Sequence, residues 1–159
     1  MKKVPATPVR ILLADDNQHG LTARRMILEE LGHAVEVSSS GTEAWAKFQE
    51  ALVNGISFDI VVTDYRMGDE IDGVELIRRI RQADTGLATA TRVIMLSAYT
   101  EILGMSESEI GADVIIPKTH KEVQELLRAV KKLAQHPPRR RPPSSAKSQP
   151  KADRKSASA

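Results

Sequence analysis

The chain has 159 residues, of which 41% are hydrophobic, so its length suits one domain with an apolar core. It contains no cysteine, which excludes disulfides, thiolate metal sites and cysteine nucleophiles. The net charge of +2 is unevenly spread, because residues 137–159 carry seven basic side chains and one acid, which leaves −4 for residues 1–136. No apolar run could cross a bilayer and no secretion signal is recognisable, so we expect a soluble cytoplasmic protein.

Composition divides the chain into three segments. Residues 1–8 are a short N-terminal extension, and residues 9–136 form the predicted folded domain. Residues 137–159 are rich in Pro, Ser, Lys and Arg and have no aliphatic side chain larger than Ala. Such a tail cannot bury enough surface to offset its ordering entropy, so we expect it to be disordered. We interpret it as a solubilising or linker tail; the alternative is an arm that binds nucleic acid or an anionic membrane surface through salt-dependent attraction.

Five short apolar runs alternate with helical patterns in the predicted domain. The runs predict strands at residues 9–14, 35–37, 58–63, 93–96 and 114–116. The stretches between them repeat apolar residues at helical spacing, although residues 99–110 form only a weak pattern interrupted by Gly104. This alternation predicts an α/β fold, a doubly wound parallel sheet with five helices, for which the flavodoxin-like strand order 2-1-3-4-5 suits the size.

Turn and capping residues mark the predicted helix boundaries. Gly32 closes the first helix and Gly55 follows the second. Thr119 and Glu122 have the spacing of a capping box, which predicts that the last helix starts from Thr119.

Polar side chains stand at the ends of four predicted strands. Asp15 and Asp16 follow the first strand, Asp64 the third and Ser97 the fourth, while Lys118 comes just after the fifth. Taken singly, the acids could be helix caps or turn residues, and the lysine could be a solvated surface residue. In the order 2-1-3-4-5, however, strands 1, 3 and 4 are neighbours, so these side chains should converge at the carboxyl edge of the sheet.

The predicted cluster suits phosphoryl transfer onto an aspartate. Three carboxylates that close together need a cation to offset their repulsion, and oxygen ligands without Cys or His favour Mg²⁺. Ser97 offers a hydroxyl, and Ala98 leaves room for a group the size of a phosphoryl. The cation and Lys118 would neutralise charge on the equatorial oxygens while Asp64 attacks in line.

Six segments carry a resemblance to a known family. They are Ile-Leu-Leu-Ala-Asp-Asp-Asn at 11–17, Gly-Thr-Glu-Ala-Trp at 41–45, Asp-Ile-Val-Val-Thr-Asp-Tyr-Arg-Met at 59–67, Asp-Gly-Val-Glu-Leu at 72–76, Ile-Met-Leu-Ser-Ala at 94–98, and Gly-Ala-Asp at 111–113 followed five residues later by Lys118. Together they cover most of the predicted domain, and residues 9–135 resemble the CheY-like receiver domain of response regulators in bacterial two-component signalling.

The resemblance implies a phosphorylation role for the acids. Asp64 would accept a phosphoryl group from a phosphohistidine on a sensor histidine kinase or a histidine phosphotransfer protein. Asp16, Asp64 and the backbone carbonyl of Arg66 would bind Mg²⁺ directly, with Asp15 acting through water. The chain is therefore expected to be a signalling protein and not an enzyme.

The resemblance also assigns the residues around the phosphoryl group. Ser97 and Lys118 would hold the group and report its presence to the face made by the fourth helix, the fifth strand and the fifth helix; the downstream protein partner is unidentified. Arg66 and Tyr99 flank the predicted pocket, and we expect them to set the access of the hydrolytic water.

Three features depart from the family pattern. Thr119 stands where a proline usually follows the lysine, and Pro117 precedes the lysine instead. Ile115 occupies the position of an expected aromatic switch residue. Gly68 replaces a common proline, in a loop that is one residue longer than usual. These changes leave the phosphorylation chemistry in place and put the familiar output mechanism in question.

Two rival functions share parts of this pattern. A receiver-like adaptor would bind partners without phosphorylation, which the altered fifth strand favours and the complete set of acids, serine and lysine opposes. A phosphatase of the haloacid dehalogenase type would use the same nucleophile, and this chain is similar to such enzymes at the strand end. Those enzymes, however, have a second acid two residues after the nucleophile, where this chain has Arg66.

Overall fold

The computed structural model describes residues 7–83, 90–98, 104 and 106–135. In this part of the chain five strands alternate with five helices. The strands are β1 Arg10–Ala14, β2 Ala34–Ser38, β3 Ile60–Asp64, β4 Arg92–Ser97 and β5 Val114–Pro117. The helices are α1 Gln18–Glu30, α2 Gly41–Val53, α3 Gly73–Gln82, α4 Glu107–Ile110 and α5 Glu122–Gln135. All strand pairs are parallel and the order is β2-β1-β3-β4-β5, so the predicted fold class and strand order are confirmed.

Alternation along the strands divides the core into two layers. Ile11 and Leu13 point to the side covered by α1 and α5, where they join Leu28 and Leu126. Their neighbour Leu12 points to the other side, which α2 and α3 cover. Because both faces of the central strands are covered, β3 is buried along its whole length. Within the described residues no helix is long and apolar enough to span a membrane.

The start of the last helix corrects one prediction. The spacing of Thr119 and Glu122 predicts a capping box there, but α5 begins at Glu122. The Thr119 hydroxyl instead accepts from the Lys121 N–H at 3.2 Å, and the Glu122 carboxylate is engaged by Arg24 of α1. A guanidinium across the helix pair therefore binds the carboxylate that a capping box would use.

The fourth helix, α4, is short, and local interactions fix where it begins and where it ends. Ser106 and Glu109 form a reciprocal capping box, and Gly111 ends the helix with a φ of 84°. The predicted weak helix over residues 99–110 is described only in part, since residues 99–103 and 105 lie outside the described residues. Residues 1–6 and 136–159 also lie outside them, so the predicted segment boundaries at 8/9 and 136/137 stay predictions.

Gly73 allows α3 to start directly against the end of β3. A Cβ at this position would lie 2.1 Å from the carbonyl oxygen of Asp64, and the Gly73 N–H donates to the Tyr65 carbonyl at 2.9 Å. The absence of a side chain therefore fixes how closely the helix approaches the strand end.

We expect Gly73→Ala to lower the free energy of unfolding by about 2–3 kcal/mol, because the new methyl group forces the backbone away from Asp64. Gly55→Ala is the matched control, since no atom lies within 4 Å of its added Cβ and only the φ of 68° is unfavourable; it should cost about 1 kcal/mol. Urea unfolding of both variants measures the difference, and equal losses would contradict the steric explanation.

His33 is a buried polar residue between α1 and β2. Its exposed fraction is 7%, and its Nδ1 accepts the Val9 N–H at 3.2 Å. Burial lowers the pKa of the imidazole below its ordinary value. The neutral form is therefore the one that fits the fold.

We expect His33 to make the protein less stable as the pH falls below about 6.5, because the unfolded chain then takes up a proton that the folded chain resists. The slope from this group is at most about 1.4 kcal/mol per pH unit. His33→Asn keeps an acceptor for the Val9 N–H and should flatten the dependence of unfolding free energy on pH between about 6.5 and 5. His120→Asn, at an exposed position, is the control; identical slopes in the parent and in His33→Asn would refute the assignment.

Candidate functional site

The carboxyl edge of the sheet gathers the polar residues singled out in the sequence. Asp15 directly follows β1, and Asp64 is the last residue of β3. Ser97 ends β4, where it lies in register with Pro117 of β5, and Lys118 comes next. Because all strands run in the same direction, these ends meet at one edge and form a single site.

Three carboxylates form the floor of this site. Asp15, Asp16 and Asp64 each offer an oxygen, and these oxygens all lie within 4.8 Å of one another. Asp15 and Asp64 are buried, whereas Asp16 is exposed. The loop residue Gly68 lies next to Asp16 with a φ of 55°, and a Cβ there would be in contact with Asp16 Oδ2 at 3.4 Å. The glycine therefore leaves the space beside Asp16 free of a side chain.

Lys118 is the direct partner of Asp64. Its Nζ lies 2.7 Å from Asp64 Oδ2, and the Tyr65 N–H donates to Oδ1 at 2.9 Å. Burial raises the pKa of the Asp64 carboxyl, and the charge of Asp15 adds to this, while Lys118 and the Tyr65 N–H act in the opposite direction. The net pKa lies above the ordinary value, as burial predicts for a carboxylate whose partner is itself partly solvated.

Asp15 has a partner that the sequence did not reveal. Arg24 of α1 places Nη1 2.6 Å from Asp15 Oδ2, and its Nε and Nη2 donate to Glu122 Oε1 at 2.9 and 2.5 Å. Burial alone would lower the pKa of the guanidinium, but Glu122 and Asp15 outweigh burial and raise it. Arg24 is half-buried in α1, and nothing in the spacing of the sequence identifies its partners.

Main-chain contacts hold the lysine in place despite the changed neighbours. The Lys118 N–H donates to the Ser97 carbonyl at 2.7 Å, and the Thr119 N–H donates to the Pro117 carbonyl at 2.9 Å. Ser97 is fully buried, with its hydroxyl 3.3 Å from the Ala98 carbonyl oxygen, whereas Ala98 is exposed. The Lys118 side chain therefore still reaches Asp64, although Pro117 precedes the lysine.

Of the remaining predicted residues, two can be placed. Arg66 is exposed in the loop after β3, two residues beyond Asp64. Ile115 is half-buried in β5 and packs against the core layer under α2 and α3. Tyr99 lies outside the described residues, so its predicted place beside the pocket stays a prediction.

The longer loop after β3 is attached to the start of α2. Asp69 Oδ2 accepts the Thr42 N–H at 3.2 Å, and its Oδ1 accepts the Ile71 N–H at 2.8 Å. Although burial acts to raise it, these donors hold the pKa of the Asp69 carboxyl below its ordinary value. Ile71 is buried against Gly41, where a Cβ would overlap the Ile71 carbonyl oxygen at 1.8 Å. This loop, which includes Arg66, is therefore held at its far end.

The donors present fit a hard divalent cation. They are carboxylate oxygens without sulfur or imidazole, and two of them come from adjacent residues. Mg²⁺ is held in proteins by one or two carboxylates and keeps several waters, so this cluster of acids suits it.

Relatives with established names match most of this chain. The transcriptional regulatory protein TrcR of Mycobacterium tuberculosis is 31% identical over 116 residues, which cover 73% of this chain and 42% of TrcR. The virulence sensor protein BvgS of Bordetella pertussis is 33% identical over 105 residues, which cover 66% of this chain and 8% of BvgS. The chain thus spans less than half the length of either relative.

Solved structures show the same fold. Response regulator TrrA from Thermotoga maritima, in complex with Mg²⁺–BeF, is 29% identical with a TM-score of 0.64, over 79% of this chain and 98% of TrrA. Chemotaxis response regulator CheY4 of Vibrio cholerae is 25% identical with a TM-score of 0.68, over 80% and 99% of the two chains. The family of response regulator receiver domains matches residues 11–131. The chain therefore belongs to the response regulator receiver domain family of two-component systems.

Proposed function

We propose that this chain is a phosphoacceptor switch in which Asp64 receives a phosphoryl group from a phosphohistidine donor. The observation that carries the proposal is the position of Asp64 between a lysine at 2.7 Å and two further acids within 4.8 Å. A nucleophilic carboxylate, a mobile positive charge and a cation site are the parts that phosphoryl transfer onto an aspartate requires.

The proposed reaction uses the contacts of Asp64 directly. An Asp64 oxygen forms a bond to phosphorus while the bond from phosphorus to the donor imidazole nitrogen breaks. That nitrogen keeps the electron pair of the broken bond and takes up a proton from water, so the donor leaves as a neutral imidazole. The Tyr65 N–H keeps the carboxylate oriented. Lys118 moves from the carboxylate to the phosphoryl oxygens, where it offsets their charge.

The proposed cation is Mg²⁺, held by Asp16, Asp64 and the backbone carbonyl of Arg66, with Asp15 acting through water. When bound, it would supply positive charge beside the phosphoryl oxygens. The oxygen-only donor set and the open space beside Gly68 support this choice. The related TrrA was solved in complex with Mg²⁺–BeF.

Ser97 and Ala98 are the proposed receivers of the phosphoryl group on the β4 side. Ser97 would turn its hydroxyl from the Ala98 carbonyl, now at 3.3 Å, to a phosphoryl oxygen. The small exposed Ala98 gives the group room to enter. The Lys118 N–H donates to the Ser97 carbonyl at 2.7 Å, so a displacement of either residue would be transmitted to the end of β5.

The proposed partners are a sensor histidine kinase or histidine phosphotransfer protein as donor and a further protein as target. Sensor proteins and probable histidine kinases occur among the relatives that match this chain. Arg66, exposed beside Asp64, and Tyr99 remain the proposed residues that set access of the hydrolytic water.

A receiver-like adaptor that works without phosphorylation is the second candidate. Ile115 favours it, because an aliphatic side chain packed into the core layer cannot carry out the aromatic rotation expected at this position. Absence of labelling in the parent protein with Mg²⁺ present would select this candidate.

We expect the parent protein to incorporate label from ³²P-acetyl phosphate in the presence of Mg²⁺ and to incorporate none when EDTA is present from the start. Asp64→Asn should abolish labelling, because the amide is not a competent nucleophile. Asp59→Asn, just before the opposite end of β3, is the matched control and should label normally. Labelling that persists in Asp64→Asn would refute the proposed acceptor.

We expect Lys118→Met to slow labelling about a hundredfold, because the phosphoryl oxygens lose their protein cation. The rate of labelling at saturating Mg²⁺ measures this effect. Lys121→Met removes the same charge from an exposed position nearby and should stay within twofold of the parent, about the scatter of such assays. Equal rates in the two variants would show that Lys118 has no role in the transfer.

A further inference from the structure

Arg24 forms a bridge between the acid site and the first turn of α5. Its Nη1 lies 2.6 Å from Asp15 Oδ2, and its Nη2 lies 2.5 Å from Glu122 Oε1. The three side chains have exposed fractions of 11%, 4% and 15%, so the bridge is largely shielded from water. At such burial an ion pair is screened far less than at the surface.

Gly20 provides the space for this arrangement. It lies one helical turn before Arg24, and a Cβ at residue 20 would come within 3.0 Å of Arg24 Nη1. The guanidinium thus folds back over a position without a side chain and reaches Asp15, instead of extending into solvent.

Both oxygens of Asp15 are used in this arrangement. The Asn17 N–H donates to Oδ1 at 2.9 Å, and Arg24 binds Oδ2. Asp15 is at the same time one of the three acids whose oxygens lie within 4.8 Å of one another. A divalent cation that enters the cluster therefore meets a guanidinium already bound to one of the carboxylates.

We propose that Arg24 is a built-in counter-ion that competes with the divalent cation for Asp15 and lowers the affinity of the site, and that Glu122 sets the strength of this competition by pairing with Arg24. This inference deepens the proposed function and rests on it for the identity of the cation. Arg24 is thus a positioning residue, since it acts on the cation through Asp15.

The two partners of the bridge should have opposite effects on the affinity for Mg²⁺. Removing the charge of Arg24 leaves Asp15 without its counter-ion, which makes the site more negative and should tighten binding. Removing the charge of Glu122 leaves Arg24 with Asp15 as its main partner, which should weaken binding. A purely structural role for the bridge would move both variants in the same direction, because each loses the same contact.

Isothermal titration of the full chain with MgCl₂ measures these effects without phosphorylation. We expect Arg24→Gln to bind Mg²⁺ about tenfold more tightly than the control Arg25→Gln, which loses the same charge from the same helix. Arg25 is a suitable control because it pairs with Glu29 at 2.9 Å at an exposed position. Glu122→Gln should bind Mg²⁺ more weakly than the parent.

Affinities of Arg24→Gln and Arg25→Gln within twofold of each other, about the error of the titration, would overturn the inference, as would weaker binding in Arg24→Gln. If Arg24→Gln does not fold, Glu122→Gln decides alone, and unchanged or tighter binding there refutes the proposal. Phosphoryl labelling of the parent separates the two claims: labelling with no shift in Arg24→Gln refutes only the role of Arg24, whereas the expected shifts without labelling refute only the phosphoacceptor function.

Discussion

The repulsion between Asp15, Asp16 and Asp64 is the constraint on which the site depends. Their oxygens lie within 4.8 Å of one another, and like charges this close are stable only when positive charge is supplied. The chain supplies it from two sides, through Lys118 directly after β5 and Arg24 on α1. In the proposed function, the remaining negative charge of the cluster would attract a further cation, and that cation would offset the charge of an incoming phosphoryl group.

The fold allows charged side chains to cluster at the carboxyl edge of the sheet without destabilising the sheet. The strands are parallel and covered by helices on both faces, so the apolar residues of the two layers stabilise the structure while only the strand ends carry charge. Close backbone packing then fixes the loops around the acids. Gly73 brings α3 against the carbonyl of Asp64, and Asp69 fixes the far end of the loop that follows β3. Asp64, the proposed acceptor, is thereby placed at the end of a buried strand, and the loop that follows it is attached to α2 and α3.

Much of this arrangement could be predicted from the sequence, and the reasons are physical. The apolar runs predicted the five strands, their alternation with helices and the size of the domain favoured the order 2-1-3-4-5, and the rule that parallel strands end at one edge predicted that Asp64 and Lys118 meet. The ion pair of Arg24 with Glu122 was not predictable in the same way, because the two residues are 98 positions apart and only the fold brings them together. The same contact explains why the capping box predicted at Thr119 does not form. Local rules therefore sufficed where a residue's role follows from its own element, and failed where a long side chain crosses between elements.

In the proposed function, the clustered acids allow Asp64 in particular to carry phosphorus. Reductive trapping tests this most directly, because borohydride converts an aspartyl phosphate into homoserine and leaves free aspartate unchanged. After incubation with acetyl phosphate and Mg²⁺, peptide mapping by mass spectrometry should find homoserine at position 64 and at no other aspartate. Homoserine at Asp15, Asp16 or another position, or none at all under conditions in which a known receiver domain is trapped, would contradict the account.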